Sequence, residues 1–125
     1  MSELTQEAGT FLAAAEKAHA FLVIHVEDGG SRVLDLPDGV DVTFGRSRSA
    51  TVHVDSEKVS RIHARVRRSG ELIEVEDLGS RNGTRLNGDK IEATRRLTNC
   101  DELQIGPIQA IVGLASGLRT PSAIA

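Results

Sequence analysis

Two rhythms of hydrophobic and polar positions run along this chain, and they change near residue 20. In the first stretch Leu4, Ala8, Phe11, Leu12 and Ala15 share one helical face, with Glu3, Glu7, Glu16 and Lys17 elsewhere. Gly9 and Thr10 interrupt the pattern and lower its helix propensity. Residues 1–19 therefore read as a leader, partly helical or disordered. Beyond it the period becomes two, the spacing of a half-buried strand. Strands are expected at 21–26, 32–36, 40–44, 51–54, 62–68, 71–77, 84–86, 90–91, 102–105 and 108–114. Asp28-Gly29-Gly30, Pro37-Asp38-Gly39 and a Gly-rich stretch over 79–88 supply the turns. Many short strands separated by turn signals predict an all-β fold, an antiparallel sandwich of about ten or eleven strands over residues 20–114. Residues 115–125 read as a flexible tail.

The clearest hairpin joins 62–68 to 71–77. A two-residue turn at Ser69-Gly70 sets Val66 opposite Ile73 and Ala64 opposite Val75 on one face. The same register sets Arg65 opposite Glu74 on the other face, so apolar meets apolar and charge meets opposite charge.

Composition narrows the function classes. The chain has 125 residues, the size of one domain. Its net charge of −3 argues against duplex nucleic acid bound by bulk charge. With three Phe and no Tyr or Trp it lacks platforms for stacking single-stranded bases. One cysteine, Cys100, excludes an internal disulfide and a multi-cysteine zinc site, and fits a reducing cytoplasm. No apolar run approaches the ~20 residues of a membrane helix, and the acidic start is unlike a signal peptide. Neither membrane nor direct nucleic-acid binding is expected, and no cofactor or metal.

Three loops carry the chemistry. Gly45-Arg46-Ser47-Arg48 follows a strand, Lys58-Val59-Ser60-Arg61-Ile62-His63 precedes one, and Gly79-Ser80-Arg81-Asn82-Gly83-Thr84 leads toward Asn87-Gly88. Together they hold five cations, short hydroxyls and amides. Such a set suits a multi-oxygen anion: arginine offers a planar fork, and hydroxyls and backbone N–H groups fill the remaining acceptors. Other readings compete. Ser60 and His63 could be nucleophile and base, but no third carboxylate accompanies them and Ser60 lies on no strand-to-helix elbow. His19, His25 and His53 have no metal-ligand spacing. Cys100 reads as a small buried or half-buried side chain. Arg65, Arg67 and Arg68 with Glu74 and Glu76 read as a solvated sheet face or, alternatively, a docking surface.

Taken in order, Gly45-Arg46, Ser60-x-x-His63 and Asn82-Gly83 resemble the signature of forkhead-associated (FHA) domains, of the bacterial type. Phe44-Gly45-Arg46, Val59 to Ala64, Asp77 to Thr84, Leu86-Asn87-Gly88 and Leu103 to Gly106 extend the resemblance over roughly residues 20–114. It implies a phosphothreonine-dependent peptide-binding module rather than an enzyme. By that resemblance Arg46, Ser60 and Arg61 would hold the phosphate and Asn82 the peptide main chain. Arg81 would stand where members often carry a small hydroxyl residue beside the threonine methyl. Ser47, Arg48 and Lys58 are candidates for specificity, Lys58 toward an acidic residue near the phosphothreonine. Gly45, His63, Gly83, Asn87 and Gly88 would be structural, with the His63 ring tying the Ser60 loop to the Gly45-Arg46 loop.

Two departures stand out. Ala50-Thr51 replaces the usual Asn-Asp, and Cys100 replaces the Gly of a Gly-Asp turn. The expected partner is a phosphothreonine protein made by a Ser/Thr kinase, or the kinase itself. A phosphorylated tail of the same chain, at Thr5, Thr10 or Thr120, is a further candidate. The module could stand alone or sense for a larger regulator. The alternative class is a phosphorylation-independent scaffold or dimerisation domain.

Overall fold

The computed structural model describes residues 18–27 and 29–116, with only the backbone for Ala18, Ala115 and Ser116. The leader, the tail and their three threonines lie outside the described residues, Ala18, Ala115, Ser116 and His19 apart. Among the described residues eleven strands form two packed sheets: β1 (Ala18–Val26), β2 (Ser31–Asp35), β3 (Asp41–Gly45), β4 (Val52–His53), β5 (Ala64–Ser69), β6 (Leu72–Asp77), β7 (Arg85–Leu86), β8 (Asp89–Lys90), β9 (Arg95–Leu97), β10 (Glu102–Ile105) and β11 (Ile108–Ser116). One sheet runs β2-β1-β11-β10-β7-β8 and the other β4-β3-β5-β6-β9. All pairs are antiparallel except β3 with β4. Among the described residues no helix is long and apolar enough to cross a membrane.

The period of two explains the layers. Along β1, Ala20, Leu22 and Ile24 are buried, whereas Phe21, Val23 and His25 turn outward. Facing them across the sandwich stand Val42, Phe44, Val66, Ile73 and Val75, all nearly solvent-free. Phe44 is the aromatic of this core, and full burial of such a side chain is worth roughly 1.5–3 kcal/mol. The core is otherwise Val, Ile, Leu and Ala, as β-branched strands favour.

Several details differ from expectation. The hairpin pairs Ser69 with Leu72, so its turn is Gly70-Glu71. Gly70 takes φ +63 at the first central position, where a tight hairpin requires a left-handed residue. Val66 therefore faces Val75, and Arg65 and Arg67 face Glu76 and Glu74. Each partner moves by two residues, which leaves every side chain on its expected face. Strand β9 had no readable alternation, because only Leu97 of its three residues is buried. Strand β1 opens at Ala18 rather than Phe21, its extra residues pairing with the end of β11.

Both family departures have physical counterparts. At Thr51 the missing amide and carboxylate are replaced by reciprocal bonds: Thr43 N–H donates to Thr51 Oγ1 (3.1 Å) and Thr51 N–H to Thr43 Oγ1 (3.0 Å). Cys100 is exposed rather than buried and holds φ +73, the conformation for which glycine is the low-cost residue. The β1–β2, β3–β4, β4–β5, β6–β7 and β10–β11 connections gather at one end of the sandwich: Gly106 lies against Val59 and Gly45 against Arg61, the Gly83 carbonyl meets the His63 ring, and Glu27 borders a hollow with Lys58 and Gly106.

Candidate functional site

The β3–β4 and β4–β5 loops are stitched together by their main chains. Arg46 N–H donates to Ser60 C=O (2.9 Å), Ser47 N–H to Arg61 C=O (3.0 Å) and His63 N–H to Phe44 C=O (2.8 Å). This approach is so close that a Cβ on Gly45 would lie 2.1 Å from the Arg61 carbonyl oxygen. Glycine at 45 is thus the condition for Arg46 and Arg61 to emerge side by side.

His63 is fully buried. Its Nδ1 accepts the Ser60 N–H (3.1 Å), so the proton sits on Nε2, which donates to Gly83 C=O (2.8 Å). The ring therefore ties the Ser60 loop to the Asn82-Gly83 loop. The Gly45-Arg46 loop, its expected partner, is held by backbone bonds instead.

The β6–β7 loop is built around Asp77. One carboxylate oxygen accepts N–H groups from Gly79 (3.2 Å) and Ser80 (3.0 Å); the other accepts hydroxyls from Ser80 (2.5 Å) and Thr84 (2.8 Å). Burial alone raises the Asp77 pKa. The Ser80 and Thr84 hydroxyls, the Ser80 N–H and the nearby His63 outweigh it and hold the group below the ordinary carboxylate value. Ser80 Oγ also accepts the Gly83 N–H (2.9 Å), so this hydroxyl faces inward and is not offered to a ligand.

On this frame Arg46, Glu57, Lys58, Ser60, Arg61, Arg81 and Asn82 line a depression of about 220 Å³. Four cations meet one carboxylate there. Among the described residues none of the three arginines makes an ion pair. Ser60 Oγ accepts the Arg81 N–H (2.9 Å), which leaves the Ser60 O–H as a donor into the depression. Asn82 donates from Nδ2 to Lys58 C=O (2.8 Å), which fixes its amide plane and leaves Oδ1 as an acceptor.

The structure thus brings together Arg46, Lys58, Ser60, Arg61, Arg81 and Asn82. Ser47 and Arg48 lie outside the depression; the Ser47 hydroxyl is taken up with Ser49 (2.8 Å). Asn87 braces the far side of the sheet, donating to Asp101 Oδ1 (3.0 Å) and accepting the Glu102 N–H (2.9 Å). Gly83 takes φ +84 under the Lys90 side chain, and Gly88 takes φ +91 in an open turn. Sequence reasoning gave no role to Asp77 and Thr84, although Asp followed by Ser at the third position is a turn signal. It also passed over Glu57, which no local pattern marks. Arg85, Gln104 and Gly106 border a neighbouring hollow with Lys58 and Asn82, and reach it through sheet pairing rather than sequence proximity.

The FHA domain model matches residues 42–106, the span that carries all three loops. The chain is 38% identical over 84 residues to the oxoglutarate dehydrogenase inhibitor of Corynebacterium jeikeium, covering 67% of this chain and 56% of that protein. It is 36% identical over 85 residues to the glycogen accumulation regulator GarA of Mycolicibacterium smegmatis, covering 67% and 51%. It spans about half the length of these curated relatives. The solved structure of Mycobacterium tuberculosis EmbR in complex with a low-affinity phosphopeptide superposes with a TM-score of 0.70 at 25% identity, over 90% of this chain and 31% of that one. With the family model matching more than half its length, this chain belongs to the FHA domain family.

Proposed function

We propose that this module, within residues 20–114, binds phosphothreonine-containing protein segments downstream of a Ser/Thr kinase, and makes or breaks no bond. The observation that carries the reading is the convergence of Arg46, Arg61 and Arg81, none ion-paired among the described residues, with the Ser60 O–H in one depression. A phosphothreonine brings about −1.5 to −2 charges and three strong acceptor oxygens. Arg46, Arg61 and Ser60 satisfy them through charge-assisted hydrogen bonds, each worth roughly 1.5–3 kcal/mol net. Asn82 Oδ1 takes a main-chain N–H of the peptide, and Lys58 favours an acidic neighbour. The complex with a phosphopeptide described for EmbR, a structural neighbour, agrees with this chemistry.

Catalysis by Ser60 has no support in the geometry. Both ring nitrogens of His63 are engaged, one with the Ser60 main chain and the other with Gly83, so the ring is not a base for the Ser60 hydroxyl. An oriented phosphothreonine peptide library, screened before and after phosphatase treatment, tests the function. Selective capture lost on dephosphorylation is the expected result. Capture of a partner that survives phosphatase would establish a phosphorylation-independent scaffold instead.

A further inference from the structure

Beyond the phosphate depression the loop end carries a longer track. A second hollow of about 310 Å³ shares Lys58 and Asn82 with the first. A third of about 520 Å³ shares Lys58, Gln104 and Gly106 with the second. That volume lies in the range of ligand clefts, roughly 300–1,000 Å³. Gly106 borders both, packed so closely against the β4–β5 loop that a Cβ there would lie 2.6 Å from Val59 Cγ2.

Sheet register explains the third hollow. Ser31, His25, Gln109, Gln104 and Arg85 stand side by side across β2, β1, β11, β10 and β7, a polar row on the outer face at the loop end. The next row is Val33, Val23, Ile111 and Glu102. The charge then changes sign along the track. The first hollow holds four cations and one carboxylate, and the second holds Lys58 and Arg85 with no carboxylate. The third holds two carboxylates, Glu27 and Glu102, against the shared Lys58, with His25 also in its lining. Gln109 donates to the Glu102 carboxylate (2.6 Å) and steadies it, and neither glutamate is ion-paired among the described residues.

We propose that this third hollow is a second recognition site, which takes a basic side chain of the same phosphopeptide several residues from its phosphothreonine. The proposal rests on the phosphopeptide reading above and adds a charge order to it: phosphate first, an acidic or neutral stretch over Lys58 and Arg85, then a lysine or arginine between Glu27 and Glu102. An extended peptide advances ~3.3 Å per residue, so the basic position falls outside the immediate neighbours of the phosphothreonine.

The test uses fifteen-residue libraries with a central phosphothreonine, one position at a time fixed as Arg, Glu or Ala. They are titrated against the unaltered chain and against the Glu27→Lys, Glu102→Lys double variant, whose melting temperature is checked. The unaltered chain should favour Arg over Glu by about 3- to 10-fold at one position four or more residues from the phosphothreonine, the scale of exposed ion pairs. The double variant should reverse that preference and keep its dependence on phosphothreonine. The inference is overturned if no distal position discriminates Arg from Glu while phosphothreonine is still required, or if the preference survives in the double variant. Absence of binding to every phosphorylated library would remove the parent reading along with it.

Discussion

Two arginine-rich surfaces of this molecule look alike in composition and differ in what their guanidinium groups have to do. On the outer face of the five-stranded sheet, Arg65 pairs with Glu76 and lies 3.7 Å from Asp41, while Arg67 lies 3.6 Å from Asp41. Their charges are answered across the strands, in register, at half-exposed positions. At the loop end Arg46, Arg61 and Arg81 have no such answer among the described residues, and the main-chain hydrogen bonds there organise the loops without using the guanidinium groups. Arginine count therefore says little about binding. Four cations held close together by a rigid frame with one carboxylate, Glu57, among them repel one another, and an arriving anion relieves that repulsion.

Breaking the frame should have the largest effect. Gly45→Ala forces Cβ into the Arg61 carbonyl, and overpacking against backbone typically costs about 1–3 kcal/mol or more. The thermal midpoint should fall and phosphopeptide affinity with it, both read on one preparation. His63→Ala should act on the same frame, leaving the Ser60 N–H and Gly83 C=O unpaired at a buried site, with a loss of ~1–3 kcal/mol by denaturant titration. Full binding loss at an unchanged melting temperature would contradict the structural role given to this ring.

Acid sharpens the comparison through Asp77, which organises the site loop. Its folded pKa is depressed, so the unfolded chain takes up its proton first as pH falls. The stabilisation is fully present above the unfolded value of ~3.9 and is lost as pH drops through the lower folded value. Stability of the chain should decline in that acid window, and Asp77→Asn should flatten the decline. Phosphopeptide affinity should weaken earlier, below about pH 6, where the phosphate dianion takes up a proton and becomes a monoanion. Coincidence of the two transitions would refute this separation.

How much of this was readable beforehand follows from which forces are local. Most strand positions came through because alternation such as that of Leu22, Ile24, Val42, Phe44, Val66 and Val75 reports burial directly. The family was legible because Gly45-Arg46, Ser60-x-x-His63 and Asn82-Gly83 follow one another in the order of its signature. The hairpin partners were misplaced by two, since alternation fixes the face of a strand and leaves the turn residue to a single φ at Gly70. The true partners of His63 and the hollows shared by Lys58, Gln104 and Gly106 are set by cross-loop contacts that no local pattern encodes. At Cys100 the side chain itself does not announce the positive φ, and only the glycine that the family carries there points to it. Cys100→Gly should raise stability by about 0.5–1 kcal/mol by relieving that conformation, a modest gain measurable by denaturant titration.

The comparison of the two arginine surfaces is tested most directly by titrating one phosphothreonine peptide against Arg46→Ala and Arg65→Ala side by side. Loss of Arg46 removes a charged partner of the phosphate and should weaken binding by about 30- to 1000-fold with the fold intact. Loss of Arg65 should leave affinity within about twofold and cost at most ~1 kcal/mol of stability, as for an exposed ion pair. Equal affinities for the two variants, or a larger loss at Arg65, would contradict the assignment of phosphate recognition to the unpaired arginines.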